Sequence, residues 1–225
     1  MNNSSPIQHI CFDLDGTLTD SINTIFQATV KTLEHLNIPN NLSIAEFRKI
    51  IGYHFQDMFD SLNIPVTDFE EYITIYKNYY SQLMDLSSVF PSVAETLKSL
   101  KDMGTKISLC TTKVQDQADK VVKSFQIDEF FSLVLGRREN IANKPSAEPL
   151  LFICNELNVK PENTLMVGDT ELDIRCGKSA GSKTCAVSYG YRELKIIKEE
   201  NPDYIINDIT ELINLVKQSN KIQRI

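Results

Sequence analysis

Two aspartates, Asp13 and Asp15, directly follow the apolar run Ile10 to Phe12 and precede Gly16. The apolar run predicts a buried strand, and residues two apart on an extended chain point to the same side. Both carboxylates can therefore face one site just past the strand, where Gly16 lets the backbone turn sharply. Two neighbouring acids on an apolar support repel each other unless a shared proton or a cation relieves them. Mg²⁺, which prefers oxygen ligands, suits such a pair.

The same segment has two other interpretations. Aspartate and glycine are ordinary turn residues, so the segment could simply end a strand. A calcium loop of the EF-hand type would follow a helix and would carry its glycine at the sixth position. Here the glycine comes fourth, counting from Asp13, and an apolar strand precedes it. The calcium loop is therefore excluded.

Further polar residues lie beside later predicted strands. Thr111 follows the strand predicted over 106–110, Lys144 precedes a helix, and Asp169 and Asp173 follow the strand over 164–167. If these strand ends converge, the carboxylates can hold a cation while the lysine and the hydroxyl bind an anionic group. Phosphoryl transfer needs this kind of positioning and charge neutralisation.

Each of these residues also has a plain structural interpretation. Thr111 is a β-branched residue of the type common in strands. Lys144 could be solvated, like most lysines. Asp173 could be the capping-box partner of Thr170 at the start of a helix. The order and spacing of the whole set, rather than any single member, favour the chemical interpretation.

The segment from Ser21 to about Leu86 shows helical periodicity and no convincing strand. One apolar face repeats at helical spacing along the first helix, and an aromatic stripe repeats along a later one. A helix–helix core is the expected use of this stripe, with a ligand site as the alternative. Turns are predicted over 37–42 and 63–66. The first face comprises Ile22, Ile25, Phe26, Thr29, Val30 and Leu33, and the stripe comprises Tyr72, Ile75, Tyr76, Tyr79 and Leu83.

From Ser88 onward, predicted strands alternate with predicted helices, which indicates a parallel sheet covered on both faces. Ligands of such sheets bind beyond the carboxyl ends of the strands. Ser92 and Glu95 predict a capping box at the first of these helices. The strands are predicted over 106–110, 131–135, 164–167, 184–187 and 204–206, and the helices over 92–104, 116–125, 146–157, 173–180 and about 209–216.

The composition excludes several classes of protein. The 225 residues carry a net charge of −7 with no long basic run, which argues against nucleic acid as a partner. No run approaches the roughly 20 apolar residues that span a bilayer, so no membrane association is expected. The N-terminus lacks signal-peptide features, and the 5 cysteines are scattered without a C-x-x-C pair, which disfavours disulfides and zinc. A cytoplasmic location is therefore expected.

The motifs resemble, in their order, those of the haloacid dehalogenase (HAD) superfamily. These are Asp13-x-Asp15-Gly-Thr, Thr111 after a strand, Lys144, and Gly168-Asp169-x-x-x-Asp173. The resemblance covers nearly the whole chain, because the helical segment after the first motif looks like the cap of that family. It implies an α/β fold with a Rossmann-like parallel sheet as a core domain over 1–19 and 88–225, and an inserted α-helical cap domain over 20–87.

Carried onto this sequence, the resemblance implies a phosphatase with two catalytic aspartates. Asp13 would attack phosphorus and form an aspartyl-phosphate, and Asp15 would protonate the leaving group and then activate water. The metal ligands would be Asp13, the backbone carbonyl of Asp15, Asp169 and, through water or as an anchor, Asp173. Phosphate would be bound by Thr111, by the backbone of Thr112 and by Lys144. Because Asp15 is an acid, the resemblance is to the phosphatases rather than to the dehalogenases.

The resemblance is nearest to the phosphoglycolate phosphatase-like subgroup, which implies a small phosphorylated metabolite as substrate and a monomer or homodimer. Arg48 and His54, in the predicted cap, are the candidates for substrate selection, although an exposed helix position is the plainer interpretation of each. Ser92 and Thr112 depart from the glycine and asparagine usual in that subgroup. The alternatives are a β-phosphoglucomutase-like phosphosugar mutase, a pyrophosphatase or nucleotidase of the superfamily, and a non-enzymatic binding module.

Overall fold

The strand in front of the paired aspartates lies in the middle of a six-stranded parallel sheet. In a computed structural model that describes residues 5–221, the strands of this sheet are His9–Phe12 (β1), Lys106–Val114 (β4), Leu133–Arg137 (β5), Thr164–Gly168 (β6), Lys183–Val187 (β7) and Tyr204–Ile206 (β8). The strand in front of the aspartates, β1, is buried along its whole length between β4 and β6. The strand order β5-β4-β1-β6-β7-β8 confirms the predicted α/β fold.

The register of the three central strands brings the predicted site residues to one edge. Phe12, the last residue of β1, is paired with Leu109 on β4 and with Val167 on β6. Although β4 and β6 continue beyond this level, the residues that follow these three positions lie side by side toward the carboxyl ends of the parallel strands, where ligands bind in such sheets.

Helices cover both faces of the sheet, as expected for parallel strands that alternate with helices. The boundaries agree with the predicted ones to within a few residues, but the short helix α9 is not anticipated by the periodicity. The six α-helices in the described residues after position 89 are Val93–Asp102 (α5), Gln115–Ser124 (α6), Glu148–Glu156 (α7), Glu171–Ser179 (α8), Leu194–Glu199 (α9) and Glu211–Lys221 (α10).

Four helices lie between two short antiparallel strands, β2 and β3, and form the segment that we call the helical insert (22–86). Its apolar faces pack together and join the largest hydrophobic cluster of the protein. Tyr72 and Tyr76 are buried as predicted, but Tyr80 rather than Tyr79 completes the buried stripe. The elements are Thr19–Asp20 (β2), Ile22–His35 (α1), Ile44–Ile50 (α2), Phe55–Ser61 (α3), Phe69–Gln82 (α4) and Ser88–Val89 (β3).

Two local predictions are wrong. Ser92 makes no capping box, because it adopts a left-handed conformation with φ of 62° and its side chain caps nothing. The strand predicted to end at Cys110 continues to Val114, with an irregularity in its pairing to β5 between these two residues. Thr111 and Thr112 are therefore strand residues, in keeping with their β-branched side chains. Irregular strand pairing of this kind is common next to active sites, where it changes the direction of side chains.

The division into a core domain and a cap domain stays a prediction. Its outermost residues, 1–4 and 222–225, lie outside the described residues, as does most of the N-terminal segment examined for a signal peptide. Among residues 5–221, no helix combines the length and the apolar character that a membrane crossing requires.

His9, on β1 at the edge of the sheet opposite the aspartates, is fully buried between two hydroxyls. Its ring nitrogens lie 3.1 Å from Thr164 Oγ1 and 2.8 Å from Ser108 Oγ. Burial, aided by the positive charge of Lys106, lowers the pKa of His9 from 6.5 to about 4. His9 is therefore neutral in the folded protein at pH 5, whereas the unfolded chain binds a proton there.

Because the unfolded chain takes up this proton first, stability is expected to fall as the pH drops from 6.5 toward 4. The His9 contribution to this loss is about 2 kcal/mol between pH 7.5 and pH 5. Urea unfolding at the two pH values checks it, with His9→Gln as the comparison and His35→Gln, at an exposed histidine, as the control. Equal pH dependence in wild type and His9→Gln would contradict this assignment.

Candidate active site

A cavity between the carboxyl ends of the strands and the helical insert contains the paired aspartates. It has a volume of about 90 Å³, and since one water molecule needs roughly 10–15 Å³, it has room for a small metabolite. Asp13, Asp15, Thr112 and Lys144 line it from the sheet side. The helical insert supplies a mostly apolar wall that comprises Ile25, Ile51, Phe55, Met58, Ile73 and Tyr76.

Lys144 joins two of the predicted carboxylates. Its ammonium nitrogen lies 2.6 Å from Asp13 Oδ1 and 2.6 Å from Asp173 Oδ1, and all three side chains are buried. Burial alone would disfavour the charge on Lys144, but the two aspartates raise its pKa well above its ordinary value. The solvated interpretation of Lys144 is thus wrong, because the lysine is the counter-ion of a buried acidic cluster.

Asp173 has the capping role predicted for it and in addition binds Lys144. Its Oδ2 atom accepts hydrogen bonds from the backbone N–H and the hydroxyl of Thr170, at 3.0 and 2.7 Å, in the predicted capping box of α8. Its other oxygen accepts the bond from Lys144. The capping arrangement therefore fixes the carboxylate that holds the lysine.

Asp169 lies fully buried next to this pair. Its oxygens accept hydrogen bonds from the Thr17 hydroxyl at 3.2 Å and from the backbone N–H of Tyr191 at 2.8 Å. Burial, with the charges of Asp13 and Asp173, raises the pKa of Asp169 well above its ordinary value. A Cβ at Gly16 or Gly190 would lie 2.3 or 2.2 Å from Asp169 atoms, so both positions need glycine to make room for this side chain.

The three buried aspartates fit a divalent cation by the chemistry of their donors. One oxygen from each of Asp13, Asp169 and Asp173 lies within 4.8 Å of the others, and oxygen is the ligand that Mg²⁺ prefers. Three carboxylates and the ammonium of Lys144 leave two negative charges when all are ionised. Without a cation, burial and the neighbouring acids raise the pKa of Asp13 to about 7, against the opposing effect of Lys144. A cation of charge +2 balances this excess.

Asp15 is held by Lys113, a residue for which the sequence predicted no role. Lys113 donates to both oxygens of Asp15, at 2.9 and 2.8 Å, and its ammonium lies 4.6 Å from the centre of the Tyr80 ring. The Ser21 hydroxyl also donates to Asp15. A sequence signal for Lys113 existed, because the lysine directly follows the predicted phosphate-binding residues Thr111 and Thr112.

The two threonines differ in their surroundings. Thr111 is buried, and its Oγ1 accepts a bond from the backbone N–H of Lys113 at 3.3 Å. It lines a small adjoining pocket together with Lys144, whereas Thr112 lines the main cavity. The structure thus brings seven of the nine predicted site residues together at one end of the sheet. These seven residues are Asp13, Asp15, Thr111, Thr112, Lys144, Asp169 and Asp173.

The two candidates for substrate selection lie in different places. Arg48 is exposed on α2 and lines a separate surface groove beside Ile196. His54 does line the main cavity, and its Nε2 accepts a hydrogen bond of 2.8 Å from Arg137, the last residue of β5 on the sheet side. Of the two, His54 is positioned to meet a ligand in this cavity.

A buried ion pair ties the helical insert to the sheet side of the cavity. Arg192 Nε donates to Glu171 at 2.6 Å, with both side chains buried. The guanidinium also donates to the backbone carbonyls of Lys49 and, at 3.2 Å, of Ile51. Tyr53 donates its hydroxyl to the same glutamate at 2.7 Å. The end of α2 and the loop that carries His54 are thereby anchored to the segment after β7.

Comparisons with known proteins agree with this geometry. The sequence model of the haloacid dehalogenase-like hydrolases matches residues 10–187. The chain is 33% identical over 210 residues to the pyrophosphatase PpaX of Halalkalibacterium halodurans, covering 93% of this chain and 97% of that protein. It resembles the crystal structure of a predicted phosphoglycolate phosphatase from Haemophilus somnus, with a TM-score of 0.80 and 26% identity over 93% and 97% of the two chains. A haloacid dehalogenase-like family hydrolase from Streptococcus pneumoniae gives a TM-score of 0.83 at 25% identity over 96% and 99%.

Proposed function

The chain belongs to the haloacid dehalogenase-like hydrolase family and is a phosphatase, and from that premise we propose that it is a Mg²⁺-dependent enzyme that hydrolyses small phosphorylated metabolites through an aspartyl-phosphate. The observation that carries this proposal is the ammonium of Lys144, held 2.6 Å from both Asp13 and Asp173 at the wall of a cavity. A lysine fixed there can neutralise charge on a phosphoryl group that approaches Asp13. The non-enzymatic alternative is set aside.

In this proposal Asp13 is the nucleophile. One of its oxygens is bonded to Lys144, which orients the carboxylate and leaves the second oxygen for attack on phosphorus. The attack forms the aspartyl-phosphate and releases the leaving group, and water then cleaves the acyl phosphate. Thr111, the Thr112 backbone and Lys144 bind the phosphoryl oxygens. Asp13, the backbone carbonyl of Asp15, Asp169 and, through water or as an anchor, Asp173 would hold Mg²⁺, which when bound would neutralise charge on the phosphoryl group.

Asp15 is the proposed acid and base. As an acid it gives a proton to the departing oxygen, and as a base it accepts a proton from the hydrolytic water. Lys113 and Ser21 hold its carboxylate in one orientation in this structure. We assign Lys113 a positioning role, because it contacts the proposed acid and base rather than a reacting atom.

A small phosphomonoester, similar to phosphoglycolate, is the substrate that the cavity supports best. The apolar wall contributed by the helical insert can contact the carbon atoms of an organic leaving group. Inorganic pyrophosphate is the second candidate, and the observation that favours it is the name of the relative that is 33% identical along nearly the whole chain. A mutase would use the same aspartate but return the phosphoryl group to the sugar.

All 5 cysteines are free and buried, which fits the cytoplasmic location that we propose, since thiols stay reduced there. The monomer or homodimer predicted from the sequence remains part of the same proposal.

We expect phosphate release to need Mg²⁺ and to be led by one member of a small panel. The panel comprises 2-phosphoglycolate, pyrophosphate, β-glucose 1-phosphate and a nucleoside monophosphate, each assayed with Mg²⁺ and with EDTA. Without the cation the excess negative charge of the cluster repels a phosphoryl dianion, so a loss of at least about 10²-fold is expected. Equal rates with Mg²⁺ and with EDTA would refute the metal assignment. Conversion of β-glucose 1-phosphate without phosphate release would replace the phosphatase by the mutase.

A further inference from the structure

Two polar side chains that line the cavity take no part in the proposed chemistry. They are Gln117, on α6, and Arg137, which ends β5. Both come from the sheet side and from elements next to the site, and neither belongs to the motifs that the sequence analysis singled out. Their surroundings indicate what they bind.

Arg137 is a half-buried cation without an acidic partner. Of the cationic side chains that line the cavity from the sheet side, Lys113 and Lys144 are paired with aspartates, whereas Arg137 forms no ion pair with any residue in 5–221. Its one side-chain hydrogen bond there is the one it donates to His54. A guanidinium has five N–H donors, so most of its donors are open to a ligand. Partial burial also lowers its pKa, as expected for a cation that lacks a counter-ion.

Gln117 is a buried donor without an acceptor. The residue is only 8% exposed, and its amide nitrogen makes no hydrogen bond with any described residue. Leaving such a donor unsatisfied costs about 1–3 kcal/mol, and native proteins rarely do so without a functional reason. An oxygen atom of a ligand in the cavity would supply the missing acceptor.

His54 holds the guanidinium in place. Because Arg137 donates to its Nε2 atom at 2.8 Å, His54 acts as an acceptor at that nitrogen and orients the guanidinium. His54 is carried by a loop that two contacts anchor: the bond of Tyr53 to Glu171 on α8, and the bond of Arg192, in the segment after β7, to the carbonyl of Ile51. His54 is a sequence-based candidate for substrate selection, and its contact in this structure makes it a positioning residue for Arg137.

We propose that Arg137 and Gln117 bind a second anionic group of the substrate, carried by the part that leaves when phosphorus is attacked. The inference rests on the proposed function and narrows it to phosphate esters or anhydrides that bear a second acidic group. A carboxylate and a phosphoryl group share the required chemistry, because each offers oxygens that a guanidinium can bind in a fork. Phosphate esters whose alcohol part carries no acidic group lack the oxygens that these donors need, and we expect them to be poor substrates.

The test compares substrates with and without a second acid. In the wild type, kcat/KM for 2-phosphoglycolate or for pyrophosphate, divided by kcat/KM for ethyl phosphate, measures the preference. Arg137→Gln is expected to lower this ratio about 10- to 100-fold, the effect of one or two hydrogen bonds to a charged group. Arg175→Gln is the matched control, because Arg175 is exposed on α8 and lines neither the cavity nor the small adjoining pocket, and it should change the ratio by no more than about twofold. The substrate whose ratio falls identifies the acid as carboxylate or phosphoryl.

Gln117→Leu separates ligand binding from a structural role. The substitution replaces an unsatisfied buried amide with an apolar group of similar size, which leaves stability unchanged or raises it. We therefore expect an equal or higher Tm together with a ratio lowered about 5- to 20-fold. A lower Tm with an unchanged ratio would show that Gln117 serves the fold and would remove it from the proposal.

Binding measurements distinguish failure of this inference from failure of the proposed function. Calorimetric titration of 2-phosphoglycolate, pyrophosphate and ethyl phosphate into Asp13→Asn, alone and combined with Arg137→Gln, gives the preference without turnover. If the wild type releases no phosphate but Arg137→Gln abolishes a binding preference, the function fails and the inference stands. If the wild type releases phosphate but Arg137→Gln changes neither the kinetic preference nor the binding preference for substrates with a second acid, the inference is overturned while the proposed function stands. The inference is also overturned if the wild type binds and hydrolyses ethyl phosphate with the same affinity and the same kcat/KM as the substrates that carry a second acid.

Discussion

Asp13→Asn is expected to abolish phosphate release while the protein remains folded. The asparagine amide keeps the size of the carboxylate and can still accept a bond from Lys144, but it is no nucleophile toward phosphorus. Replacing a covalent nucleophile lowers kcat by factors on the order of 10³ or more. The free energy of unfolding should stay within about 1 kcal/mol, because removal of one charge also relieves repulsion in a cluster with excess negative charge. Phosphate release and urea unfolding measure the two effects.

Asp57→Asn is the matched control for this prediction. Asp57 is an exposed acid near the start of α3 in the helical insert, so its neutralisation should leave turnover within about twofold of the wild type. Substantial phosphate release by Asp13→Asn would sink the assignment of the nucleophile. Loss of a cooperative unfolding transition would instead show that Asp13 is needed for folding, and the kinetic result would then carry no weight.

Lys144→Ala is expected to destabilise the protein by about 3–5 kcal/mol, because removal of one partner leaves buried charges uncompensated. Two carboxylates lose their counter-ion at once, since Lys144 bonds both Asp13 and Asp173. Turnover should also be lost, because the lysine is the proposed partner of the phosphoryl oxygens. Urea unfolding at pH 7 in EDTA measures the stability term without a contribution from added cation.

Lys160→Ala provides the comparison for this second variant. Lys160 Nζ lies 3.8 Å from Glu162 Oε1, and both side chains are largely exposed. The substitution should therefore lower the free energy of unfolding by less than about 1 kcal/mol. A Lys144→Ala protein as stable as Lys160→Ala would contradict the interpretation of Lys144 as the counter-ion of a buried cluster.

The sequence predicted the sheet, and the convergence of most candidate site residues at one of its edges, because both follow from local patterns. Apolar runs that end in Asp13, Thr111 and Asp169 predict strands, and parallel pairing brings their carboxyl ends together. The capping role of Asp173 could be predicted for the same reason, since its partner Thr170 is three residues away. The capping box predicted at Ser92 failed because the chain enters α5 through a left-handed residue there, a conformation that the residue types do not reveal.

The cationic residues of the cavity could not be assigned from local patterns. No local pattern in the sequence distinguishes Arg48 from Arg137. Only the packing of the helical insert on the sheet leaves Arg48 exposed and places Arg137 at the cavity wall. Lys113 follows the site threonines, but its contact with Asp15 spans 98 positions of the chain. The burial of Gln117 likewise depends on how α6 packs beside β5.

The segment after β7 contacts three separate parts of the structure around the candidate active site. The backbone N–H of Tyr191 binds Asp169, its hydroxyl accepts a bond of 2.6 Å from the backbone N–H of Ser21, and Arg192 holds the end of α2. A ligand that displaces this segment changes the surroundings of Asp169 and of the His54 loop together. Thermodynamic linkage then makes the effect reciprocal. If a ligand bound beside Asp169 changes the affinity of the cavity for a second ligand by some factor, the second ligand, once bound in the cavity, changes the affinity of the first ligand for its place beside Asp169 by the same factor.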